Sequence, residues 1–204
     1  DGVFSWRGSV FCGVYRSMRK PVFKLFCLLL FALVLGGCGG SLRYEIRDAE
    51  VTITDCFTGA DGDLEIPAQI EGLPVTRIKP GAFFLCRGLT SITLPESVAS
   101  IGKNAFGSCS SLTSITIPDS VTSIGDYAFR GCRSLTSIPV ASGNSSFKSL
   151  DGVVFSYDET ELLICPAGKA GDYGIPDSVT SIGDYAFDGC ESLTSISIPD
   201  SVTS

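Results

Sequence analysis

The stretch IPDSVTSIGDYAF covers residues 117–129, and the same thirteen letters recur at residues 175–187. A third copy begins at Ile198 and runs to Ser204, the last residue of the sequence. Other positions recur at a step of 23 residues, and they form three clear columns: Phe83, Phe106 and Phe129; Cys86, Cys109 and Cys132; Leu89, Leu112 and Leu135. Self-similarity at a fixed period of about 20 to 50 residues indicates an array of stacked repeats.

Each repeat combines short strands with a tight turn. Ile115 and Ile117 flank Thr116, which is the alternation expected of a strand with one buried face. Pro118 ends this strand because proline has no N–H group to donate to a neighbouring strand. A glycine at position 125 then permits a tight turn. A unit of this size cannot enclose its own apolar face, so stacked units must share one core.

The sequence therefore predicts a β-rich repeat solenoid. We expect a right-handed coil of 23-residue units whose short strands stack into parallel sheets. The step from Phe129 to Phe187 is 58 residues, so additional chain interrupts the repeats. We interpret the addition as one and a half variant coils, with an independent subdomain as the alternative; within it, residues 153–157 and 162–165 have strand character. The predicted segments are an N-terminal cap with a degenerate first repeat (44–80), regular repeats (81–138), a variant element (139–174) and resumed regular repeats (175–204).

The N-terminal region has the pattern of an export signal. Met18 is the only methionine, and a basic start follows it before an apolar run from Leu25 to Leu35. This run is too short to span a bilayer, which requires about 20 apolar residues in a helix. The pattern predicts a secretory signal peptide at residues 18–37, with a buried core helix as the alternative. Residues 1–17 are predicted to be an over-extended or partial reading frame upstream of the start.

The end of the apolar run, LGGC at residues 35–38, resembles the lipobox of bacterial lipoproteins. The resemblance implies cleavage before Cys38 and attachment of a diacylglycerol to its thiol, with ordinary signal-peptide cleavage as the alternative. Residues 38–43 would then form the lipidated cysteine and a short tether. We therefore expect an exported protein, lipid-anchored to the bacterial cell envelope and exposed at its surface.

Composition argues against two classes of function. The formal net charge is −7 and basic residues are not clustered in the repeats, so a nucleic acid is not an expected partner. The sequence contains no histidine, which removes the usual general base and the commonest zinc ligand. We find no constellation of catalytic residues, and we predict no enzymatic activity and no cofactor.

The repeat L-x-x-I-x-I-P-x-S-V-x-x-I-G-x-x-A-F-x-x-C, found over residues 44–204, resembles the BspA-like or Treponema pallidum-type leucine-rich repeat family. Residues 143–166 are similar to a variant unit of such proteins. The resemblance implies a cell-surface protein that binds host or partner-cell proteins in adhesion. The alternative is a passive spacer that presents a C-terminal domain beyond Ser204, because we expect the natural protein to continue past this residue.

The outward positions of the predicted strands provide a candidate binding face. Extended concave surfaces of solenoids commonly bind partners. This face lacks the aromatic and arginine side chains that dominate most interfaces, so Tyr127, Tyr185, Arg130 and Arg133 on the opposite rim, and residues 143–174, compete with it. The predicted face consists of Ser91, Thr93, Ser114, Thr116, Ser137, Ser195 and Ser197.

The cysteines and aspartates are predicted to be structural. Cysteines at one repeat position form a column and do not converge on a point, so we expect small buried side chains and no metal site. Disulfides between neighbours remain an alternative, and Cys56 and Cys165 lie outside the column. Aspartates such as Asp119 and Asp177 are expected to be solvated turn residues, with calcium binding as the weaker alternative. The predicted structural ladder contains Cys86, Cys109, Cys132, Cys190, Phe83, Phe106, Phe129 and Phe187.

Overall fold

The computed structural model describes residues 32–35, 41–56 and 60–203. Within these residues the chain forms strands and turns, with no helix. The strands are β1 (Ala32–Leu35), β2 (Ser41–Arg47), β3 (Glu50–Cys56), β4 (Asp61–Glu65), β5 (Gln69–Ile70), β6 (Leu73–Ile78), β7 (Gly88–Thr93), β8 (Ser100–Ile101), β9 (Ser114–Ile115), β10 (Ser123–Ile124), β11 (Phe147–Leu150), β12 (Val153–Ser156), β13 (Glu161–Ile164), β14 (Gly171–Gly174), β15 (Ser181–Ile182) and β16 (Leu193–Ser197).

Successive turns of the chain lie side by side in parallel ladders. One sheet starts as the antiparallel series β1–β2–β3 and continues through the parallel neighbours β6, β8 and β10, with β5 on the edge of β6. A second sheet is the parallel set β4–β7–β9. Short strands do stack into parallel sheets, so the predicted solenoid is confirmed.

The variant element changes the direction of the strands. β11, β12 and β13 form an antiparallel series, and β13 then pairs in parallel with β15. β14 and β16 form a separate parallel pair. The two segments with predicted strand character correspond to β12 and β13, which a turn at residues 157–160 connects.

Aromatic rings form a stack through the regular turns. The rings of Phe83 and Phe106 have centroids 5.2 Å apart, and those of Phe106 and Phe129 are 5.4 Å apart. The stack does not continue to Phe187, whose ring lies 6.4 Å from that of Tyr173. The predicted ladder is therefore interrupted. The apolar interior divides into a large cluster, mainly in the turns before the variant element, and a smaller one formed by the variant element and the turn after it.

Glycine at the corner of the regular turns is required by close packing. A Cβ atom added at Gly125 would lie 2.5 Å from the amide nitrogen of Lys103 in the preceding turn. Backbone contacts backbone at this corner, so a side chain of any size would push two turns apart. Gly102 packs against Pro80 in the same way.

One buried polar side chain anchors the variant element to the regular turns. Asn144 is 2% exposed, and its Nδ2 donates to the carbonyl oxygens of Pro118 (2.7 Å) and Val121 (2.9 Å). Its Oδ1 accepts from the amides of Ser146 and Phe147, both at 2.8 Å. Two donors and one acceptor are thus satisfied in the interior, where a buried polar group without partners is costly.

We expect replacement of Asn144 by alanine to destabilise the fold by about 1–3 kcal/mol, because two carbonyls and two amides would lose their partner. Urea unfolding followed by circular dichroism measures the change. Ser145→Ala alters the neighbouring exposed residue and serves as the matched control. Equal stability of the two variants would show that the Asn144 hydrogen bonds contribute nothing net.

Candidate functional site

In the regular turns, a row of backbone hydrogen bonds joins each corner to the next. The amides of Asn104, Phe106 and Ser108 donate to carbonyls of the following turn over 2.6–3.0 Å. Gly81, Phe83 and Leu85 make the equivalent bonds one turn earlier. These bonds hold successive turns at the spacing of a sheet.

The row stops at the variant element. In the described part of the chain, the amides of Tyr127, Phe129 and Gly131 donate to no backbone carbonyl. The parallel ladder also ends here, because β10 has no partner strand beyond it and β13 pairs with β15 instead. We call this boundary the seam, with residues 124–131 on one side and residues 161–165 and 183–191 on the other.

A shortened corner causes the seam. Leu162 accepts a hydrogen bond from Gly183 as Ile101 does from Gly125. The amide of Cys165 then donates to Ala186, as Phe106 donates to its own neighbour in the next turn. Equivalent positions are therefore five residues apart in the regular turn, from 101 to 106, and three apart in the variant turn, from 162 to 165. The variant turn lacks two corner residues, and a space remains where they would lie.

Two tyrosines meet across this space. The rings of Tyr127 and Tyr185 have centroids 4.3 Å apart at an interplanar angle of 42°. Hydrogen bonding to Tyr185 raises the pKa of Tyr127 to about 12. Both residues have positive φ angles, 59° and 61°, at a position occupied by Gly81 and Asn104 in earlier turns. Tyrosine is rare in this conformation, so the two side chains are held at some conformational cost.

Two ion pairs also cross the seam. Arg130 Nε lies 2.8 Å from Asp188 Oδ2, and the Arg133 guanidinium lies 3.0 Å from Glu191 Oε1. Each pair joins equivalent positions of the two identical copies, 58 residues apart. The copies are followed by RGCRS in one case and DGCES in the other, so opposite charges face each other across the seam.

The surface around the seam contains two concave regions. The first is a cavity of about 240 Å³ between the corners that carry Tyr127 and Tyr185. The second is a wider depression of about 970 Å³, whose lining includes Phe84, Arg87 and Arg133. Arg130 borders both regions. The seam therefore brings together aromatic and arginine side chains that are distant in the sequence.

The family model for the BspA-type leucine-rich repeat region matches residues 64–166 and 169–204, with six copies. The chain belongs to this family. The membership predicted from the repeat is thus confirmed. No curated protein matches the chain.

Solved structures of bacterial leucine-rich repeat proteins share the fold. The Treponema pallidum protein TpLRR is 24% identical, with a TM-score of 0.54 over 78% of this chain and 80% of that chain. A Bacteroides ovatus protein is 30% identical, with a TM-score of 0.51 over 79% of this chain and 40% of that one. The pneumococcal vaccine antigen PcpA is 19% identical, with a TM-score of 0.51 over 86% of this chain and 72% of that chain. The chain spans 59% of a similar Eubacterium ventriosum protein.

The predicted binding face of this BspA-type chain is divided and partly occupied by its own acids. Ser91 and Thr90 donate to Asp63, and Ser195 and Thr194 donate to Asp172, over 2.6–2.9 Å. These hydroxyl groups lower the pKa of both aspartates. The two acids were not predicted as part of this face, although each lies in the strand that pairs with a predicted face strand.

The remaining face residues differ in their surroundings. Thr93, Ser114 and Thr116 are exposed on the strands or beside them, and Ser197 is exposed at the end of β16. Ser137 is half-buried because Gly152 of the β11–β12 turn packs against it; a Cβ at Gly152 would lie 2.6 Å from Ser137 Oγ. The variant element therefore interrupts the strand face between its two halves.

Two cysteines outside the predicted column lie beside its members. Cys190 Sγ contacts the carbonyl of Cys165 at 3.5 Å, as Cys132 Sγ contacts that of Phe106 at 3.0 Å. Cys165 therefore occupies the position of Phe106 in the regular turn, in agreement with its backbone hydrogen bond to Ala186. It neighbours Cys190 but lies outside the cysteine column.

Cys56 contacts the column at its other end. Its thiol is hydrogen-bonded to that of Cys86, and this bond together with burial raises the pKa of Cys56. Hydrogen bonding to Cys132 and burial likewise raise the pKa of the Cys109 thiol. Thiols kept protonated in this way pack as small apolar groups.

The described residues contain no group of three or more cysteine or acidic side chains placed so that they could hold a metal ion. They also contain no helix long and apolar enough to cross a membrane. Cys38 and most of the predicted signal peptide lie outside the described residues, apart from residues 32–35 in β1.

We expect the two ion pairs across the seam to differ in strength. The carboxylate of Asp188 is 27% exposed whereas that of Glu191 is 67% exposed, so solvent screens the Arg130–Asp188 pair less. Double-mutant cycles with alanine, measured by urea unfolding at low and high salt, report each coupling energy. A coupling for Arg133–Glu191 equal to or larger than that for Arg130–Asp188 would contradict this ranking.

Proposed function

We propose that this chain is a protein-binding module displayed outside the cell, and that the seam surface contacts the partner. The proposal rests on the concentration of tyrosine, arginine and exposed phenylalanine around the seam. Tyrosine and arginine are among the residues that most often dominate binding energy at protein interfaces. The repeat fold supports this role because a solenoid offers a long and rigid surface.

Aromatic and arginine side chains around the two concave regions are accessible. Phe84 is 47% exposed and Tyr185 is 60% exposed, which is unusual for large aromatic side chains in a folded chain. Arg87 forms no ion pair with the described residues, and the Arg133 side chain is 67% exposed. A partner could therefore desolvate aromatic and cationic groups here without breaking the core.

The strand face is the second candidate for the contact surface. Its hydroxyl groups at Ser91 and Ser195 already donate to carboxylates, and a partner would have to compete with these hydrogen bonds. Its side chains are small and offer little apolar area. The physical support for this face is accordingly weaker than for the seam.

The binding proposal is tested with the full chain and a panel of immobilised proteins from host extracellular matrix and from the envelopes of neighbouring bacteria. We expect at least one to bind, and Tyr185→Ala combined with Arg133→Ala to weaken that binding about tenfold or more, since a hot-spot residue contributes about 2 kcal/mol. Biolayer interferometry measures the affinity.

Tyr157→Ala combined with Arg43→Ala is the matched control, because both residues are exposed and lie away from the seam. If binding is lost only in the double variant Ser114→Ala and Thr116→Ala, the partner contacts the strand face and not the seam. A chain that binds no panel protein and leaves bacterial adherence unchanged on deletion would favour the spacer hypothesis instead.

We also propose that Cys38 carries the lipid that anchors the protein to the cell envelope. The support is the LGGC sequence directly after a basic and then apolar segment. Metabolic labelling with a fatty acid should mark the wild-type protein, and Cys38→Ala should remove the label. Cys27→Ala is the matched control and should retain it. A label that persists in Cys38→Ala would refute the anchor.

A further inference from the structure

The seam cavity has walls of unusual composition for an acidic, repetitive surface. Four carboxylate side chains and a single guanidinium, that of Arg130, line it. The corners that carry Tyr127 and Tyr185 form two of its sides, and the variant turn closes its base with Leu163 and Ile164. The carboxylates are those of Asp126, Glu161, Asp184 and Asp188.

Two of these carboxylates are not neutralised by the described residues. Glu161 and Asp184 form no ion pair there, whereas Asp126 lies 3.4 Å from Lys103 Nζ and Asp188 lies 2.8 Å from Arg130 Nε. Asp188 Oδ2 is buried but accepts no aligned hydrogen bond despite that short distance. The cavity therefore has more carboxylates than cationic neighbours, and this excess of negative charge favours a cation.

The aromatic walls are compatible with a cation. Lys103 Nζ lies 5.3 Å from the centre of the Tyr127 ring, and the Arg130 guanidinium carbon lies 5.4 Å from it. Tyr185 has no such cationic neighbour among the described residues and remains 60% exposed at the mouth of the cavity. An ammonium group over a tyrosine face is attracted by the ring, most strongly when the group is removed from water.

We propose that the seam cavity binds a primary ammonium group, supplied as a lysine side chain of the protein partner. The ammonium lies between the carboxylates of Glu161 and Asp184, and its alkyl stem contacts the ring of Tyr185. This inference rests on the proposed function, since it names the chemistry by which the same surface recognises a partner.

The size of the cavity fits this occupant. A volume of about 240 Å³ corresponds to several water molecules at about 30 Å³ each. A lysine presents a compact charge on a flexible four-carbon stem and can enter such a space from outside.

The test uses the full chain and a synthetic peptide, Ac-GSGKGSG-amide, in isothermal titration calorimetry at low ionic strength. We expect saturable binding that is weakened at least fivefold by Glu161→Gln or Asp184→Asn and that weakens further with salt. The same peptide with acetyl-lysine or glutamate should not bind. Glu96→Gln and Asp177→Asn remove equal charge at exposed turns away from the cavity and should have no effect.

Free n-butylamine distinguishes the two sources of an ammonium group. If the amine binds more weakly than the peptide, the result supports a lysine side chain of a protein partner. If the amine binds equally well or more tightly, the assignment to a protein lysine is overturned and the site binds small amines. No binding of either probe overturns the cavity site. If a panel protein still binds through Tyr185 and Arg133 in that case, the proposed function stands and only this inference fails.

Discussion

Hydrogen bonding between the backbones of successive turns is the constraint on which this molecule depends. Each regular corner donates and accepts along the axis of the array, so every turn must approach its neighbour at the spacing of a sheet. Gly102 and Gly125 meet the preceding turn backbone to backbone, where a Cβ would collide. The phenylalanine stack and the cysteine column follow from the same spacing, because equivalent side chains are brought one above another.

The seam shows what happens when two residues of this scheme are removed. In the variant turn the single residue Leu163 stands where a regular turn has three corner residues, such as Gly-Lys-Asn at 102–104. The backbone amides of the preceding corner therefore have no carbonyl to which they can donate. Side chains then make the connection that the backbone no longer makes: a tyrosine pair and two ion pairs. The two identical copies thus lie on opposite sides of the seam and are distinguished by the charged residues that follow them, RGCRS and DGCES.

The sequence was sufficient for the fold of the regular turns and insufficient at the seam. A 23-residue period predicts parallel stacking directly, since only one arrangement superimposes the Phe and Cys columns. The same period does not reveal that Cys165 takes the place of a phenylalanine, because a deletion within a turn shifts later residues out of frame without changing the strand pattern. The anchoring role of Asn144 was also not predicted. Its four hydrogen bonds are to backbone carbonyls and amides, which every residue type carries and which the sequence therefore does not distinguish. The sequence also does not show that Arg130 pairs with Asp188, which lies 58 residues further along the chain.

A solenoid that is pulled along its axis distributes force through the contacts between neighbouring turns. In the regular turns those contacts are rows of short backbone hydrogen bonds, which share the load. At the seam one side of the array is connected only by exposed side-chain contacts, while the other side retains backbone bonds such as that from Gly168 to Leu135. The array is therefore mechanically asymmetric there, and tension would open it like a hinge at Tyr127 and Tyr185 before any regular turn separates.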